Sequence, residues 1–282
     1  MVRMAIVLAF LGGAVFADDL TMSLKERIFQ DDLQARFSLD GQLLCKLKLP
    51  FLWHDYIAYE MPDNAYMTGL YIGTMAMKYQ VTQEPEAREL AHRSIQALHQ
   101  LCTISGKPGL LARSIWPIGK PWYDAGKWVK TPDGKYRWRR DVSIDQVAGV
   151  MFGASLAYAL VADDADKALL ADDMRAMVDY ILENNLKIID ITGQPTRWGK
   201  YDPEMVFEGE ALPAVLWLQA LKVVHQLTGD AKYDALYRKW AVDEGYAKCS
   251  LEARFMGDPN ERHNINHSDD VLLFLGWARL LA

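Results

Sequence analysis

The chain has little cysteine, no excess of basic residues and no long apolar segment in its interior. Its 282 residues include three cysteines, Cys45, Cys102 and Cys249, an odd number without short spacing, so neither a disulfide framework nor a zinc knuckle is indicated. One disulfide with a free thiol and three buried thiols both remain open. With 31 basic and 37 acidic side chains the net charge is −6, which argues against general nucleic-acid binding. Every helical candidate carries charges, so we predict no membrane span.

Several sequence motifs of well-known enzyme classes are also missing. No Gly-rich phosphate loop precedes a helix, no GxSxG elbow occurs, and no cysteine lies in a nucleophile motif, which excludes nucleotide-binding and α/β-hydrolase interpretations. His263 and His267 are four residues apart, but residues 264–266 have the composition of a loop, so the helical geometry of a metal site is unsupported. We therefore predict no metal site and no cofactor.

The N-terminus has the pattern of a secretory signal peptide. Arg3 supplies a short basic region, residues 4–16 are apolar throughout, and small residues flank Phe16 at the expected cleavage position after Ala17. The apolar run is too short for a stable membrane span, which needs roughly 20 residues. We predict a signal peptide over 1–17, a single domain over 18–282, and a secreted or periplasmic location.

The remainder of the chain contains a repeated helical hairpin. Copies begin near residues 63, 143 and 210, and a half-copy begins at residue 267. In the first two copies Gly69 and Gly73 align with Gly149 and Gly153. Repeats of this length cannot bury their apolar faces alone and have to stack on their neighbours. Because glycine costs helix propensity, the aligned glycines predict a close approach of two helices.

A period of 3.6 residues predicts an all-α fold of about eight main helices, and strand-like alternation is nearly absent. The predicted helices span 21–38, 64–82, 84–104, 143–162, 166–185, 210–228, 231–246 and 266–281. Some, such as 143–162 and 210–228, are apolar almost all round, which is typical of a helix surrounded by protein. Others, such as 84–104 and 166–185, have one charged face and belong outside, so inner and outer helices alternate along the chain.

The connections between these helices are of two lengths. Turns from an inner to an outer helix are short, whereas the connections 105–142, 186–209 and 247–265 are long. In an alternating array the long connections all lie at the end where the inner helices begin. Long ordered loops and helix N-termini, with their positive dipole ends, are common at functional sites. The sequence therefore predicts a site at this end.

Two motifs carry a resemblance to a known superfamily. The segments GQPTRWGKYDPE (193–204) and NHSDDVLLFL (266–275) resemble those of secreted bacterial α/α-toroid proteins, largely uncharacterised, found near carbohydrate-degrading enzymes. The resemblance, over roughly residues 60–282, is to the six-hairpin glycosidase-like superfamily, which includes glycoside hydrolases and polysaccharide lyases. It implies helical hairpins arranged as an (α/α) toroid and a carbohydrate substrate. Six hairpins need twelve helices, so eight predict a smaller or an incomplete toroid.

Acidic residues lie at the start of each inner helix. Glycoside hydrolysis needs two carboxyls flanking the scissile bond, and we predict Asp145 and Asp270 as that pair, with Glu210 as a further catalytic candidate. His267 is predicted as a general acid or base, because an imidazole titrates near neutral pH. The alternative for each of these residues is helix capping, for which Ser, Asp and Asn are the preferred types.

Aromatic and basic residues are concentrated in the 105–142 connection. Sugar rings stack on flat aromatic side chains, and guanidinium groups bind carboxylate or sulfate. The predicted substrate-binding residues are Arg113, Trp116, Trp122, Trp138, Arg139, Arg140, Trp198 and Tyr201. Two alternatives remain open: the rings form a lid that covers the inner helices, and Arg139 and Arg140 pair with Asp141, Asp145 or Glu210.

The leading functional hypothesis is a secreted glycoside hydrolase that acts on an oligo- or polysaccharide, anionic or neutral. The second is a polysaccharide lyase in which Arg139, Arg140, His267 and Tyr201 neutralise a uronate and remove its C5 proton. The third is a non-catalytic helical scaffold that binds a glycan or a protein. An isoprenoid cyclase matches less well, because residues 268–270 are only a partial acidic motif. The oligomeric state is not predicted.

Overall fold

The computed structural model describes residues 21–48, 58–209, 211–251 and 267–281. It divides into two compact units, residues 1–38 and 39–282. The described part of the first unit is essentially helix α1 (Met22–Arg36), which Thr21 caps with its side-chain oxygen. The predicted cleavage position near Ala17, and with it the signal peptide, lies outside the described residues.

The second unit contains the helical hairpins, and the fold is all-α. Its helices are α2 (Asn64–Thr82), α3 (Pro85–Thr103), α4 (Ile144–Leu160), α5 (Asp164–Glu183), α6 (Leu212–Thr228), α7 (Ala231–Arg238), α8 (Tyr246–Ser250) and α9 (His267–Leu281). Strand β1 (Ser38–Leu39) lies where the first unit ends along the chain and the second begins. The short strands that follow are β2 (Gln42–Leu43), β3 (Lys46–Lys48), β4 (Ala58–Glu60), β5 (Ser114–Pro117), β6 (Trp128–Lys130), β7 (Tyr136–Arg139), β8 (Lys187–Ile189) and β9 (Pro195–Lys200).

The predicted alternation of inner and outer helices is confirmed. Inner helices α2, α4, α6 and α9 pack on one another in that order, and outer helices α3, α5 and α7 cover them. Most side chains of α4 and α6 are buried, whereas α3 buries one face only. This is the toroid-like hairpin arrangement that the hydrophobic pattern predicts. The glycines of α2 and α4 lie where these two helices meet, which confirms the predicted close approach.

The short turns between inner and outer helices have well-defined ends. Gln83 and Gly229 adopt the left-handed conformation after α2 and α6, which ends each helix sharply. Asp163 caps α5 by accepting hydrogen bonds from the backbone N–H groups of Ala165 and Asp166. The hairpins therefore close at the end opposite to the long connections.

The long connections contain small antiparallel sheets, which the sequence pattern did not predict. In 105–142 the strands pair in the order β5-β7-β6, and in 186–209 strands β8 and β9 form a hairpin. Strands of three to six residues are too short for their alternation to be distinguished from loop composition.

The predicted helix 231–246 is also wrong in its second half. The regular α-helix ends at Arg238, a π-helical turn follows over Lys239–Asp243, and α8 begins after the left-handed Gly245. The left-handed backbone at this glycine redirects the chain, so the outer layer is interrupted here.

The described residues bear on two further predictions, one on the cysteines and one on membrane spans. Cys102 and Cys249 are buried and Cys45 is half-buried, and none of the three forms a disulfide, so the interpretation as thiols is the observed one. No helix of the described segments is both long and apolar enough to cross a lipid bilayer.

Candidate active site

Two carboxylates meet at the N-termini of the inner helices α2 and α4. Asp63 immediately precedes α2, and Asp145 is the second residue of α4. The buried Gln146 donates from Nε2 to Asp63 Oδ1 at 3.1 Å and to Asp145 Oδ2 at 3.3 Å. Asp63 makes no side-chain capping hydrogen bond, although it occupies the N-cap position. Helix capping therefore does not account for this aspartate.

Arg113 connects the two helix starts from the long connection before β5. Its Nη1 donates to the carbonyl of Pro62 at 2.9 Å and to Asp63 at 3.3 Å, and its Nη2 donates to Ser143 Oγ at 2.6 Å. The Ser143 hydroxyl in turn donates to Asp145. Because Arg113 is buried and binds both helix starts, it holds the carboxylates in place.

The environment raises the pKa of the groups around this pair. Burial is the main cause of the raised pKa of Asp63, the negative charge of Asp145 adds to it, and Arg113 opposes it. Burial and the same two carboxylates raise the pKa of Tyr66 to about 12. A carboxyl whose pKa is raised, next to a second carboxyl, is an arrangement suited to acid–base chemistry.

Two buried polar groups beside this pair have no hydrogen-bond partner among the described residues, Tyr201 Oη and Asn64 Nδ2. Burial, and then the charge of Asp145, strongly raise the pKa of Tyr201, so its phenol keeps its proton. Asn64 is the first residue of α2 and directly follows Asp63. An unpaired buried donor costs roughly 1–3 kcal/mol, so these two polar groups are kept at a cost to stability.

The structure pairs the predicted substrate-binding arginines with buried acids. Arg139 donates to Asp124 at 2.7 Å, and Arg140 donates to Asp190. Lys127 binds Asp141 at 2.5 Å. The pairing alternative is therefore the observed one for these cations, although the partners differ from the acids that the sequence suggested. Much of the positive charge expected to face an anionic substrate is neutralised within the protein.

The predicted aromatic platforms divide into buried and exposed rings. Trp138 is 2% exposed in the main core, Trp116 is buried against Tyr59, and Tyr201 packs on Trp217 with ring centroids 5.6 Å apart. Rings this buried offer no face to a ligand in this conformation. Trp122 packs on Trp128 under the guanidinium of Arg137.

Trp198 is 55% exposed and remains available for stacking. The guanidinium of Arg197 lies 4.6 Å from the centroid of its ring. The backbone N–H of Arg197 donates to Asp141 Oδ1 at 3.0 Å, and the Asp141 carbonyl accepts from Arg113. These hydrogen bonds connect the backbone next to Trp198, through Asp141, with Arg113 and so with Asp63.

The side chains of three predicted catalytic residues lie outside the part of the chain that the structure describes. Glu210 lies outside the described residues, and only the backbone of α9 is described at His267 and Asp270. The pairing of Asp145 with Asp270 thus stays a prediction. Asp63 is not part of the pair predicted from the sequence, although its place at the start of the first repeat was an available signal. Gln146 follows Asp145 at the start of an inner helix and was recognisable as an amide at that position, whereas the pairing of Asp124 with Arg139 had no sequence signal.

Comparison with known proteins gives limited information. No protein-family model matches the sequence, and no curated protein matches it. Among solved structures, the chain is similar to one described as Bacteroides ovatus GH9, with a TM-score of 0.40 and 13% sequence identity over 86% of this chain and 49% of that one. The chain thus spans about half the length of that protein.

Proposed function

We propose that the protein is a carbohydrate-active enzyme, a glycoside hydrolase that acts through Asp63 and Asp145. The observation that carries the proposal is the bridging of these two carboxyls by one amide. Because Asp63 Oδ1 and Asp145 Oδ2 lie 3.1 and 3.3 Å from the same nitrogen, they are at most about 6.4 Å apart, the sum of the two distances. Gln146 holds them from the buried side, while 31% of the Asp63 side chain is exposed.

The two carboxyls have different roles in this proposal. Asp63, whose pKa is raised by burial, donates its proton to the leaving glycosidic oxygen. Asp145 attacks the anomeric carbon, and water then hydrolyses the glycosyl ester with Asp63 as the base. Retaining enzymes have carboxyls roughly 5 Å apart and inverting enzymes roughly 6.5–9.5 Å, so the short separation favours retention.

The substrate that the site favours is an uncharged saccharide. Arg139 and Arg140 are engaged by buried aspartates, which leaves them unsuited to bind a uronate or a sulfate. The exposed ring of Trp198, whose neighbouring backbone is connected through Asp141 with Arg113, supplies a flat apolar face for a pyranose ring.

Lyase chemistry has less support from the same geometry. A lyase needs a base for the C5 proton, and the strongly raised pKa of Tyr201 keeps its phenol protonated. The arginines that would neutralise the uronate carboxylate are already paired. We expect Tyr201→Phe to retain hydrolysis, whereas a lyase that uses this tyrosine would lose all activity.

The test is product analysis on a panel of neutral and uronate-containing oligosaccharides. Asp63→Asn and Asp145→Asn should each lower kcat/KM by at least about 10³-fold, the range lost when catalytic groups are removed. Asp172→Asn, at an exposed position on α5, is the matched control and should stay active. Proton NMR of the first product should show retention of the anomeric configuration.

Each other outcome rejects a part of the proposal. Activity in both the Asp63 and Asp145 variants would overturn the hydrolase assignment. Loss of activity in Asp145→Asn and Asp270→Asn, but not in Asp63→Asn, would identify the pair that the sequence predicts. Glycan binding by calorimetry without any product would favour the non-catalytic scaffold.

A further inference from the structure

A cavity of about 480 Å³ lies at the short-turn end of the hairpins, opposite to the carboxylate pair. It is formed where α2 ends and where α3 and α5 begin. Its lining includes Tyr79, Glu89, His92, Asp163 and Asp166. The hydrolase site makes no use of this end of the molecule, so the cavity requires a separate explanation.

Three of the lining residues carry metal-ligating atoms close together. One ligand atom from each of His92, Asp163 and Asp166 lies within 4.8 Å of the other two. The histidine comes from α3 and the two aspartates from the start of α5, so the cluster joins two successive hairpins. Asp166 is only 3% exposed, and both of its oxygens lie 3.0 Å from His92 Nδ1.

Capping accounts for only part of the Asp163 side chain. Both capping hydrogen bonds of α5 end on Oδ1 of this residue, from the N–H groups of Ala165 and Asp166 at 3.0 Å. None of the hydrogen bonds found in the described segments uses its Oδ2. One oxygen of Asp163 can therefore hold the helix start while the other turns to a ligand.

The next turns of the same two helices provide an internal comparison. Seven residues along both α3 and α5, His99 Nδ1 lies 2.9 and 3.1 Å from the oxygens of Asp173, which repeats the His92–Asp166 pair. The position that corresponds to Asp163 is Leu170, which is buried and apolar. A His–Asp pair alone is thus sufficient to join α3 and α5, and the carboxylate that accompanies the His92–Asp166 pair is replaced by a leucine beside the His99–Asp173 pair.

We propose that His92, Asp163 and Asp166 bind a divalent first-row transition-metal ion, such as Zn²⁺ or Mn²⁺, that joins the second hairpin to the first. One imidazole and two carboxylates suit such an ion better than Mg²⁺ or Ca²⁺, which prefer all-oxygen sites. Metal–ligand distances of roughly 2.0–2.2 Å need the ligand atoms to close in slightly, and the partly exposed His92 and the exposed Asp163 have room to do so. Water in the cavity completes the coordination.

Calorimetric titration of the full chain, after treatment with EDTA and dialysis, tests the proposal with ZnCl₂ and MnCl₂, and with MgCl₂ and CaCl₂ for comparison. We expect one transition-metal ion per chain with a micromolar or lower Kd, weaker binding of Mg²⁺ and Ca²⁺, and a rise in Tm with bound metal. His92→Ala and Asp163→Asn should weaken binding at least tenfold. Asn is a good N-cap, so the second variant removes the ligand charge and keeps the helix start.

His99→Ala is the matched control, because it breaks the equivalent pair without touching the third ligand. It should bind the metal as the unmodified protein does, even if its Tm is lower. Absence of binding, binding unchanged in both His92→Ala and Asp163→Asn, or an equal loss in His99→Ala would each overturn the proposal. The readouts are affinity and Tm, so the result does not depend on whether the protein hydrolyses a glycan.

Discussion

The carbonyl oxygen of Gly69 lies where a side chain on Gly153 would begin. A Cβ placed on Gly153 would overlap that oxygen, and a Cβ placed on Gly69 would overlap the carbonyl oxygen of Gly149. Helices α2 and α4 thus touch backbone to backbone where Gly69 meets Gly149 and Gly153. This close contact also brings the starts of the two helices together, and with them Asp63 and Asp145.

Gly153→Ala should therefore separate α2 from α4. Since the added methyl group meets backbone atoms that cannot rotate away, we expect a loss of free energy of unfolding on the order of 3 kcal/mol. Gly73→Ala is the control, because its Cβ would lie 3.1 Å and 3.2 Å from side-chain atoms of Leu156 and Phe152. Those side chains can adjust, and the gain in helix propensity offsets the strain, so the change should stay within about 1 kcal/mol. Equal effects in urea denaturation would contradict this account.

The charge of Asp145 should have a measurable effect on the pKa of Asp63. Removing it by Asp145→Asn takes away one cause of the raised pKa of Asp63, so this pKa should fall in the variant. Carboxyl-carbon NMR titration of Asp63 in the two proteins measures the change, with Asp172→Asn as the control. Under the proposed mechanism, the activity of the unmodified protein should decline as the pH rises through the pKa of Asp63, because the carboxyl that donates the proton is then ionised. An unchanged Asp63 titration in Asp145→Asn would show that the two carboxyls do not interact.

Asp173, which joins α5 to α3 through His99, should make the free energy of unfolding depend on pH. Burial raises its pKa from 3.8 to about 6, against the opposing effect of His99. A group whose pKa is raised on folding stabilises the protein fully below the unfolded value, and this stabilisation is lost as the pH rises through the folded value. Between pH 4 and pH 7 the free energy of unfolding of the unmodified protein should therefore fall by up to about 3 kcal/mol relative to that of Asp173→Asn.

Urea denaturation at pH 4, 5, 6 and 7 measures this difference, since the titrating groups other than Asp173 and its partner His99 keep their surroundings in both proteins. The exposed neighbour Asp172 supplies the control, because Asp172→Asn should follow the unmodified protein at every pH. A constant difference between Asp173→Asn and the unmodified protein over this range would contradict the prediction.

Asp124 should be required for order in the 105–142 connection. Its buried carboxylate accepts from the backbone N–H groups of Met61 and Gly126 at 2.6 Å, and from Trp128 Nε1 and Arg139 Nη1. Asp124→Ala leaves these donors unpaired and the Arg139 charge partly buried, which should cost about 3–5 kcal/mol. Asp133→Ala, in an exposed turn of the same connection, should cost less than about 1 kcal/mol. Equal protection of the connection from hydrogen exchange in both variants would exclude this role.

The order of the hairpins could be predicted from the sequence, and the members of the site only in part. Apolar periodicity distinguishes a surrounded helix such as α6 from a one-faced helix such as α3, because burial selects residue type position by position. The pairing of Asp63 with Asp145 depends on how far α2 is displaced along α4, and no local pattern records that displacement. The partners of Arg139 and Arg140 likewise depend on how the strands of the connections fold back.

The sequence by itself determined the all-α class, the alternation of inner and outer helices, and the end at which the inner helices begin. These properties follow from local periodicity, turn residues and connection length, which act over a few turns of helix. Only the tertiary structure decided that Gln146 bridges two aspartates, that the arginines are neutralised, and that His92 meets Asp163 and Asp166 beside a cavity. Those contacts join residues 74 and 83 positions apart in neighbouring hairpins, or residues within and between the long connections, and their formation depends on tertiary packing rather than on local sequence.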